Sequence, residues 1–340
     1  MDSEQRLIEQ VALLYYEEDL TQEEVAARLL LSRSKVVRLL QAARRRGIVQ
    51  IRVLVPHHAN RDLERRLESR FGLLRAVVAA PSRSAAEEVS QTVAREAAAV
   101  LSEILKPGLV LAIASGTTMD AVVDAIPQVR VPAVRIVELH GMILRSESIT
   151  DRDTLQTTAR IGQRLGAEYS MLPVVRELGS PELAQALLLD SRVQRTLELG
   201  RQADVLLVGV GALQPLSPSL AHLPRELVAE LQRAGAVGEI AARFFDRSGC
   251  PCQSRLDERL VGLPLTALLQ VPTRIGVAFG VAKVPAIAGA LAGQYINTLI
   301  TDIETATSLF AYSPHEERIS ATRMLTDIAS GQTNSRSADN

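Results

Sequence analysis

The sequence predicts an α/β protein in two parts, a small helical N-terminal unit and a larger domain with a mostly parallel sheet. Apolar residues recur at helical spacing in the first part of the chain, and beyond about residue 73 short apolar runs alternate with amphipathic stretches. A length of 340 residues accommodates two domains. A hydrophobic content of 47%, with 23% charged residues, is ordinary for a soluble globular protein.

The N-terminal unit is predicted to contain three helices. Apolar positions at helical spacing predict the first helix over residues 3–17. Thr21, followed by two glutamates, predicts the start of the second, because a hydroxyl accepts hydrogen bonds from free backbone N–H groups and acids suit the positive end of the helix dipole. Leu30 lies in the turn that follows, Ser32 is placed to cap the third helix, and Gly47 ends it.

Positive charge is concentrated on the third helix. Arg28 to Arg52 contains eight basic residues and no acid, although the net charge of the whole chain is −1. A charge run is more often a solvated helix face, but a basic patch on a nearly neutral chain favours phosphate binding, and Arg, Lys, Ser and Gln reach base edges or phosphates. The sequence therefore predicts a helix-turn-helix that binds double-stranded DNA. The expected DNA-binding residues are Thr21, Gln22, Ser32, Arg33, Ser34, Lys35, Arg38 and Arg44.

The remaining segments set the expected domain boundaries. Residues 48–55 alternate as a strand does and end at Pro56, and the stretch up to Phe71 has the pattern of a connecting helix. The last residues are polar and are expected to be partly disordered. We expect a DNA-binding domain at 1–56, a linker helix at 57–72, a larger α/β domain at 73–312, and a C-terminal tail at 313–340.

The larger domain has the strand and helix order of a parallel sheet. The runs RAVVAA, LVLAIAS and VRIVEL alternate with helical segments, and AEYSMLPVV, ADVLLVGVGAL, TRIGVAFG and NTLITD continue the pattern. Such sheets bind ligands beyond the carboxyl ends of their strands. Residues directly after these runs are therefore the candidates for a binding site.

The best candidate is the tetrapeptide from Ser115 to Thr118, which follows LVLAIA and opens a helix. A glycine turn at a helix N-terminus presents free backbone N–H groups, and hydroxyls add donors, so an anion such as a phosphate is favoured there. The alternative is that Thr117 or Thr118 only caps the helix. The Gly-Lys-Ser/Thr ending of a Walker loop is absent.

Other features argue against metals, cofactors and membranes. Cys250 and Cys252 are too close for an unstrained disulfide, and a zinc site needs two more ligands than this stretch supplies. No apolar run reaches the ~20 residues of a membrane-spanning helix, and the N-terminus lacks a signal pattern. We therefore expect a cytoplasmic protein with no metal, no cofactor and no membrane partner.

Several of these segments resemble the SorC family of bacterial sugar-responsive transcription regulators. The run TQEEVAARLLLSRSKVVRLLQAARRRGIVQIRV is similar to the helix-turn-helix of that family. The segments SGTT, ADVLLVGVGAL, AVGEIAARFFDRSG and LVGLPLTALLQVPTRIGVAFGVAKVPAIAGALAGQYINTLITDIETA follow in the order of its effector-binding domain. Two positions depart from the family pattern: Leu30 replaces a turn glycine, and Val281 and Ala282 replace two glutamates.

The resemblance implies that residues 73–312 form an effector-binding and oligomerisation domain, similar in fold to phosphosugar isomerases, that binds phosphorylated sugars. It implies that Thr117 and Thr118 contact the phosphate and that Lys283 lies nearby as a cation. Without the two glutamates, Asp246 and Glu239 are alternative acceptors for sugar hydroxyls. The expected effector-binding residues are Ser115, Gly116, Thr117, Thr118, Gly141, Gly211, Asp246, Gly280, Lys283 and Asp302.

The sequence leaves three functions to compare. The first is a DNA-binding regulator without enzyme activity, a homodimer or homotetramer whose operator binding responds to a small phosphorylated sugar. The second is an isomerase-like sugar-phosphate enzyme with a regulatory DNA-binding head, for which Asp246 and Glu239 are the acid and base candidates. The third is an architectural protein whose large domain only oligomerises.

Overall fold

The computed structural model describes residues 3–18, 20–46, 48–49, 60–82, 84–142, 157–216, 220 and 223–312. The chain divides into two compact units, Met1–Pro56 and His57–Asn340. The strand expected over 48–55 and the tail after residue 312 lie mostly or wholly outside the described residues. Within these ranges, no helix is both long enough and apolar enough to cross a bilayer.

The N-terminal unit contains the three helices that the sequence predicts. They are α1 (Ser3–Tyr16), α2 (Gln22–Leu29) and α3 (Arg33–Arg45). Apolar side chains spaced three or four residues apart turn to one side of each helix, and together they form a closed core. Its fully buried members include Ile8, Val11, Val25, Val36 and Ala43.

The two ends of α2 differ in how well the sequence suits them. At its start, the Glu24 amide donates to Thr21 Oγ1 over 3.3 Å and the Thr21 amide donates to Glu24 Oε2 over 2.8 Å, which is a complete capping box. At its end, Leu30 adopts the left-handed conformation with a φ of 53°. A side chain there costs about 1–2 kcal/mol relative to the right-handed region. The backbone therefore turns with the left-handed geometry that glycine usually adopts at the end of a helix, although the residue here is a leucine.

The larger unit contains ten helices and ten strands within the described residues, along with short 3-10 turns. The helices are α4 (Arg61–Phe71), α5 (Ala86–Ile104), α6 (Thr117–Ala125), α7 (Thr157–Leu165), α8 (Pro181–Leu188), α9 (Ser191–Arg201), α10 (Arg225–Arg233), α11 (Leu265–Leu268), α12 (Val284–Ala292) and α13 (Ile303–Ala311). The strands are β1 (Arg75–Ala79), β2 (Val110–Ile113), β3 (Arg135–Glu138), β4 (Glu168–Ser170), β5 (Val205–Gly209), β6 (Gly211–Ala212), β7 (Ala236–Ile240), β8 (Arg243–Asp246), β9 (Thr273–Val277) and β10 (Thr298–Asp302).

Seven of the strands form one parallel sheet in the order β1-β10-β9-β5-β2-β3-β4, so the predicted fold class is confirmed. Two hydrophobic clusters cover its faces, which explains why β2 is buried along its whole length. The chain builds outward from β2 through β3 to β4, then returns to place β5 on the other side of β2. The direction of winding therefore reverses between β2 and β5, and such a reversal opens a crevice at the carboxyl ends of the strands.

A second, antiparallel sheet of β6, β7 and β8 was not predicted from the sequence. The segment AVGEIAARFFD forms the β7–β8 hairpin, whose two turn residues, Ala241 and Ala242, have φ values of 54° and 62°. Two-residue hairpins favour positive φ at both positions because that twist matches the strands, and Asn and Gly are the usual residues. Because both positions are alanine, the sequence lacks the Asn or Gly that would have predicted this turn.

Helix α4 is packed on the sheet, in the segment that was expected to be a linker helix. Leu67 is fully buried. The amides of Ala76 and Val78 on β1 donate to carboxylate oxygens of Glu68 and Glu64, each over 2.9 Å. The helix thus supplies hydrogen-bond acceptors to a strand at the edge of the sheet, beside which the described residues place no further strand, and it is an integral part of the larger unit.

Candidate functional site

A pocket lies at the carboxyl ends of β2 and β5, where the winding reverses. Its volume is about 60 Å³, which is room for several water molecules. Segments far apart in the sequence meet there because parallel strands bring their carboxyl ends to one edge of the sheet. The lining residues are Ala114, Ser115, Gly116, Thr117, Thr118, Met119, His140, Arg176, Gly209, Val210, Gly211, Glu239, Ala241, Ala242 and Lys283.

The N-terminus of α6 forms one wall of the pocket. The first hydrogen bond of this helix runs from the Asp120 amide to the Gly116 carbonyl over 2.8 Å, so the amides of Thr117, Thr118 and Met119 precede the hydrogen-bonded part of the helix. Gly116 is the N-cap residue, and among the described residues no side chain caps this end. The alternative in which a threonine only caps the helix therefore does not hold. The wall presents backbone donors and the positive end of a helix dipole to the pocket.

Lys283 reaches the pocket from a 3-10 turn, Val281–Lys283, that follows β9. Its ammonium lies 5.6 Å from the centroid of the Phe279 ring. Burial lowers the pKa of Lys283, and the negative charge of Glu239 opposes that effect. The turn is anchored at Gly280, whose amide donates to Asp302 Oδ2 over 3.1 Å and to Thr305 Oγ1 over 2.7 Å. Anchoring of this kind limits the positions that the ammonium occupies.

Glu239 on β7 brings a carboxylate to the pocket. Its Oε2 accepts a hydrogen bond of 2.8 Å from the Ala242 amide, in the strained β7–β8 turn. Gly211 faces this side chain: a Cβ added there would lie 2.2 Å from Glu239 Oε1. The glycine is needed because any larger residue would push the carboxylate away.

A second carboxylate, Glu138 at the end of β3, is buried behind the pocket. Ser115, which does line the pocket, donates from its hydroxyl to Glu138 Oε1 over 3.1 Å, and the Leu172 amide lies 3.4 Å from Oε2. Burial raises the pKa of Glu138 to about 7, although both hydrogen bonds favour the ionised form. Near neutral pH this carboxyl is therefore divided between its protonated and ionised forms.

His140, two residues further on, is held as a neutral imidazole. Its Nδ1 lies 2.7 Å from the carbonyl oxygen of Gly141, and only Nδ1–H can donate to a carbonyl. Burial lowers the pKa of His140 to about 3, and the positive charge of Arg176 acts in the same direction. Gly141 leaves no room for a side chain, since a Cβ there would lie 2.6 Å from the Val174 carbonyl oxygen.

In the N-terminal unit, α3 presents its polar side chains to solvent. Lys35 and Arg38 are exposed and form no ion pair with any described residue. Arg33 Nη1 lies 3.5 Å from Glu23 Oε1. The carboxylate of Glu23, on α2, therefore partly offsets the positive charge of Arg33, although the segment from Arg28 to Arg52 contains no acid. Ser32 Oγ accepts a hydrogen bond from the Lys35 amide over 3.3 Å and so caps the helix, as predicted.

Comparison with known proteins then assigns the family. Residues 55–311 match the family model Sugar-bind, a sugar-binding domain. The chain is 36% identical over 314 residues to the Deoxyribonucleoside regulator of Bacillus subtilis (strain 168), with 91% of this chain and 99% of the relative covered. It is 30% identical over 304 residues to the Sorbitol operon regulator of Klebsiella pneumoniae, with 88% and 96% covered. The chain belongs to the SorC family.

Solved structures of SorC-family and related regulators have the same fold. The full-length Sorbitol Operon Regulator SorC from Klebsiella pneumoniae superposes with a TM-score of 0.74 at 29% identity, over 91% of this chain and 99% of that one. A DeoR family transcriptional regulator from Listeria monocytogenes gives 0.67 at 25% identity, over 74% and 100%. This SorC-family chain is therefore a transcriptional regulator with a DNA-binding head and a sugar-binding domain.

The pocket of this SorC-family protein contains part of the expected effector set. Ser115, Gly116, Thr117, Thr118, Gly211 and Lys283 line it together. Gly141, Asp246, Gly280 and Asp302 do not.

The two acidic residues outside the pocket make local backbone hydrogen bonds. Asp302 caps α13 by accepting hydrogen bonds from the amides of Glu304 and Thr305, each over 3.0 Å. Asp246 Oδ1 accepts from the amides of Ser248 and Cys250, each over 2.9 Å, in the turn after β8. Their short side chains at strand ends resemble ligand-binding groups in sequence, but they close local turns.

Two charged or titratable lining residues, His140 and Arg176, were not among the residues expected from the sequence. His140 directly follows VRIVEL, in line with the other strand ends, and this position is a usable signal for a pocket residue. Arg176 lies in the segment after β4, and no motif marks it. Of the DNA-binding candidates, the side chain of Arg44 lies outside what the structure describes, and Thr21 is engaged in the α2 capping box.

Proposed function

We propose that this regulator binds an operator through residues 1–56 and that a small phosphorylated sugar, bound by residues 73–312, controls that binding. The phosphate is placed at the α6 N-terminus, on the amides of Thr117, Thr118 and Met119. The observation that carries this assignment is the set of uncapped amides facing a pocket at the reversal between β2 and β5. Lys283 and Arg176 line the same pocket and supply positive charge for the phosphate.

The ligand class follows from the polar groups and from the named relatives. A helix N-terminus with two cations suits a phosphate, while Glu239 and His140 suit hydroxyl groups. The relatives are named Deoxyribonucleoside regulator and Sorbitol operon regulator, and both names contain a sugar or a polyol. We infer an effector with one phosphate and a sugar or polyol body, in a protein that acts in the cytoplasm where chromosomal DNA is.

The DNA is read by α3. Arg38 and Lys35 are exposed cations on this helix, with Ser34 on the same exposed surface. We assign base contacts to Arg38 and phosphate contacts to Lys35. Ser32 Oγ already accepts a hydrogen bond from the Lys35 amide. We therefore assign Ser32 mainly to capping the helix and only secondarily to DNA contact.

The signal passes through an oligomer in our proposal. One chain offers one recognition helix, and a two-fold arrangement of two or four chains matches a palindromic operator. The effector must bind one arrangement of the heads more tightly than another, because a ligand with equal affinity for both shifts nothing. We further propose that the pocket does not turn over its ligand, since Asp246, one of the two acid and base candidates, is engaged in a turn.

DNA recognition is tested with Arg38→Ala. An operator is first selected from random duplexes, and affinity is measured by fluorescence anisotropy. We expect Arg38→Ala to weaken binding by about 1–3 kcal/mol. Arg192→Ala, which removes an exposed arginine of the larger unit, is the matched control and should have no effect. An unchanged affinity for Arg38→Ala excludes this residue from the interface.

Effector recognition is tested with Thr117→Val. A thermal-shift panel of sugar phosphates identifies ligands, because a ligand that binds only the folded state raises its stability. We expect Thr117→Val to lower effector affinity about tenfold or more, since a hydrogen bond to a charged group contributes about 1.5–3 kcal/mol, and to leave operator affinity intact. Thr307→Val, at an exposed helical threonine that bonds its own helix, is the control. A normal response in Thr117→Val contradicts a hydrogen bond from the Thr117 hydroxyl to the phosphate, and failure of every sugar phosphate to bind the wild-type protein contradicts the phosphate site itself. Release of isomerised sugar during incubation contradicts the non-enzymatic assignment.

A further inference from the structure

His140 has one nitrogen that the protein leaves without a hydrogen-bond partner. The residue is 1% exposed. Its Nδ1–H donates to Gly141, but Nε2 is buried and bonds no atom of the described residues. A buried polar atom without a partner costs free energy, about 1–3 kcal/mol, so such an atom at a binding site calls for a ligand group.

The chemical character of this nitrogen is fixed by its surroundings. Because Nδ1 carries the proton, Nε2 of a neutral ring has a lone pair and can only accept a hydrogen bond. The nearby charges of Arg176 and Arg243 oppose a second proton. The ring therefore remains a hydrogen-bond acceptor throughout the physiological pH range, and His140 lines the pocket.

We propose that His140 Nε2 accepts a hydrogen bond from a hydroxyl group of the effector and is thereby a specificity-determining atom of the pocket. This inference rests on the proposed function, because it places the sugar body opposite a phosphate at the α6 N-terminus. A hydroxyl satisfies Nε2, whereas a second phosphate or a carboxylate offers only acceptors there. The negative charge of Glu239 in the same pocket disfavours a second anion further. The ligand is thus a monophosphate with a neutral, hydroxyl-bearing body.

The test compares probes that share a phosphate and differ in the body. Inorganic phosphate, ribose 5-phosphate, glucose 6-phosphate and sorbitol 6-phosphate are titrated calorimetrically into the full-length protein, and the tightest sugar probe is retained. We expect it to bind at least tenfold more tightly than inorganic phosphate. In His140→Phe, which keeps the ring shape without the nitrogen, that preference should fall about tenfold while phosphate affinity is unchanged. His140→Gln, whose amide oxygen can stand near Nε2, should restore most of it.

The outcomes distinguish failure of the proposed phosphate site from failure of the proposed contact at His140. If no probe binds the wild-type protein, the proposed phosphate site itself fails. If phosphate binds but no sugar probe exceeds it, or if His140→Phe retains the full preference, only the role of His140 is overturned.

A second measurement does not depend on the variants being folded. In ¹⁵N-histidine-labelled wild-type protein, the Nε2 resonance of His140 should show an unprotonated nitrogen that shifts on adding the sugar probe and not on adding inorganic phosphate. An Nε2 resonance that ignores the sugar probe while binding proceeds overturns the proposal.

Discussion

Glu138→Gln should make the stability of the larger unit less dependent on pH. The pKa of Glu138 rises from an ordinary value of 4.5 to about 7 in the folded protein. The folded state therefore holds more protons than the unfolded state between these values, and stability falls as pH rises through that window. Each pKa unit corresponds to about 1.4 kcal/mol, so ionised Glu138 costs the folded state about 3 kcal/mol above the window.

The glutamine variant isolates this contribution. Its side chain has nearly the same shape and no charge, so it avoids the cost of ionisation at high pH. His140 has the opposite effect: because its pKa is lowered, the stability that it contributes is present above about pH 6.5 and is lost as pH falls below it. In the wild-type protein alone, the pH dependence of the free energy of unfolding therefore combines two opposing contributions. The histidine contribution is the same in both proteins, so it cancels when the wild-type value is subtracted from that of the variant.

The assay is urea unfolding of the full-length wild-type and Glu138→Gln proteins at about pH 5 and about pH 8.5. We expect similar free energies of unfolding near pH 5, and a variant that is more stable by up to about 3 kcal/mol near pH 8.5. Glu103→Gln, which alters an exposed carboxylate paired with Arg75, should show no such change. If the difference in free energy of unfolding between the variant and the wild-type protein is the same at both pH values, Glu138 is not a buried, partly protonated carboxyl.

Three substitutions test backbone geometry. Leu30→Gly should stabilise the N-terminal unit by about 0.5–1 kcal/mol, because relief of left-handed strain outweighs the greater entropy of the unfolded chain. Calorimetric melting measures this change, and a lower melting temperature for the variant contradicts it. Gly211→Ala should weaken effector binding more than folding, because its Cβ meets the flexible end of Glu239. Gly141→Ala should instead destabilise the larger unit by about 2 kcal/mol or more, because its Cβ meets backbone atoms; equal melting temperatures for these two variants would contradict the distinction.

The sequence predicted the features that depend on local chemistry. Periodicity located α1 to α3, and Thr21 with its following acids marked the start of α2. Apolar runs located the strands of the parallel sheet, because strands buried on both faces need continuous apolar residues. The tetrapeptide from Ser115 to Thr118 was found for a similar reason, since a glycine turn before a helix is visible in one segment of sequence.

What the sequence could not predict depends on residues that are distant in the chain. Asp302 and Lys283 both follow strands, yet only Lys283 reaches the pocket, because Asp302 is turned into α13 and holds the Gly280 amide. Arg176 joins the site through the path of the chain after β4, which no local pattern specifies. The β7–β8 hairpin was missed because tertiary contacts impose on Ala241 and Ala242 a turn that their own propensities disfavour.

If the effector binds where we propose, the reversal of winding between β2 and β5 also makes effector binding depend on the integrity of the whole domain. The pocket draws on chain positions from Ala114 to Lys283, so no fragment of the sheet contains it, and only the fully assembled domain binds the effector. Mass action then makes the effector a stabiliser of the folded state, by about 2.7 kcal/mol at a concentration 100 times its Kd. In a cell that degrades unfolded chains, the metabolite that we propose as the effector would therefore also set how long each copy survives.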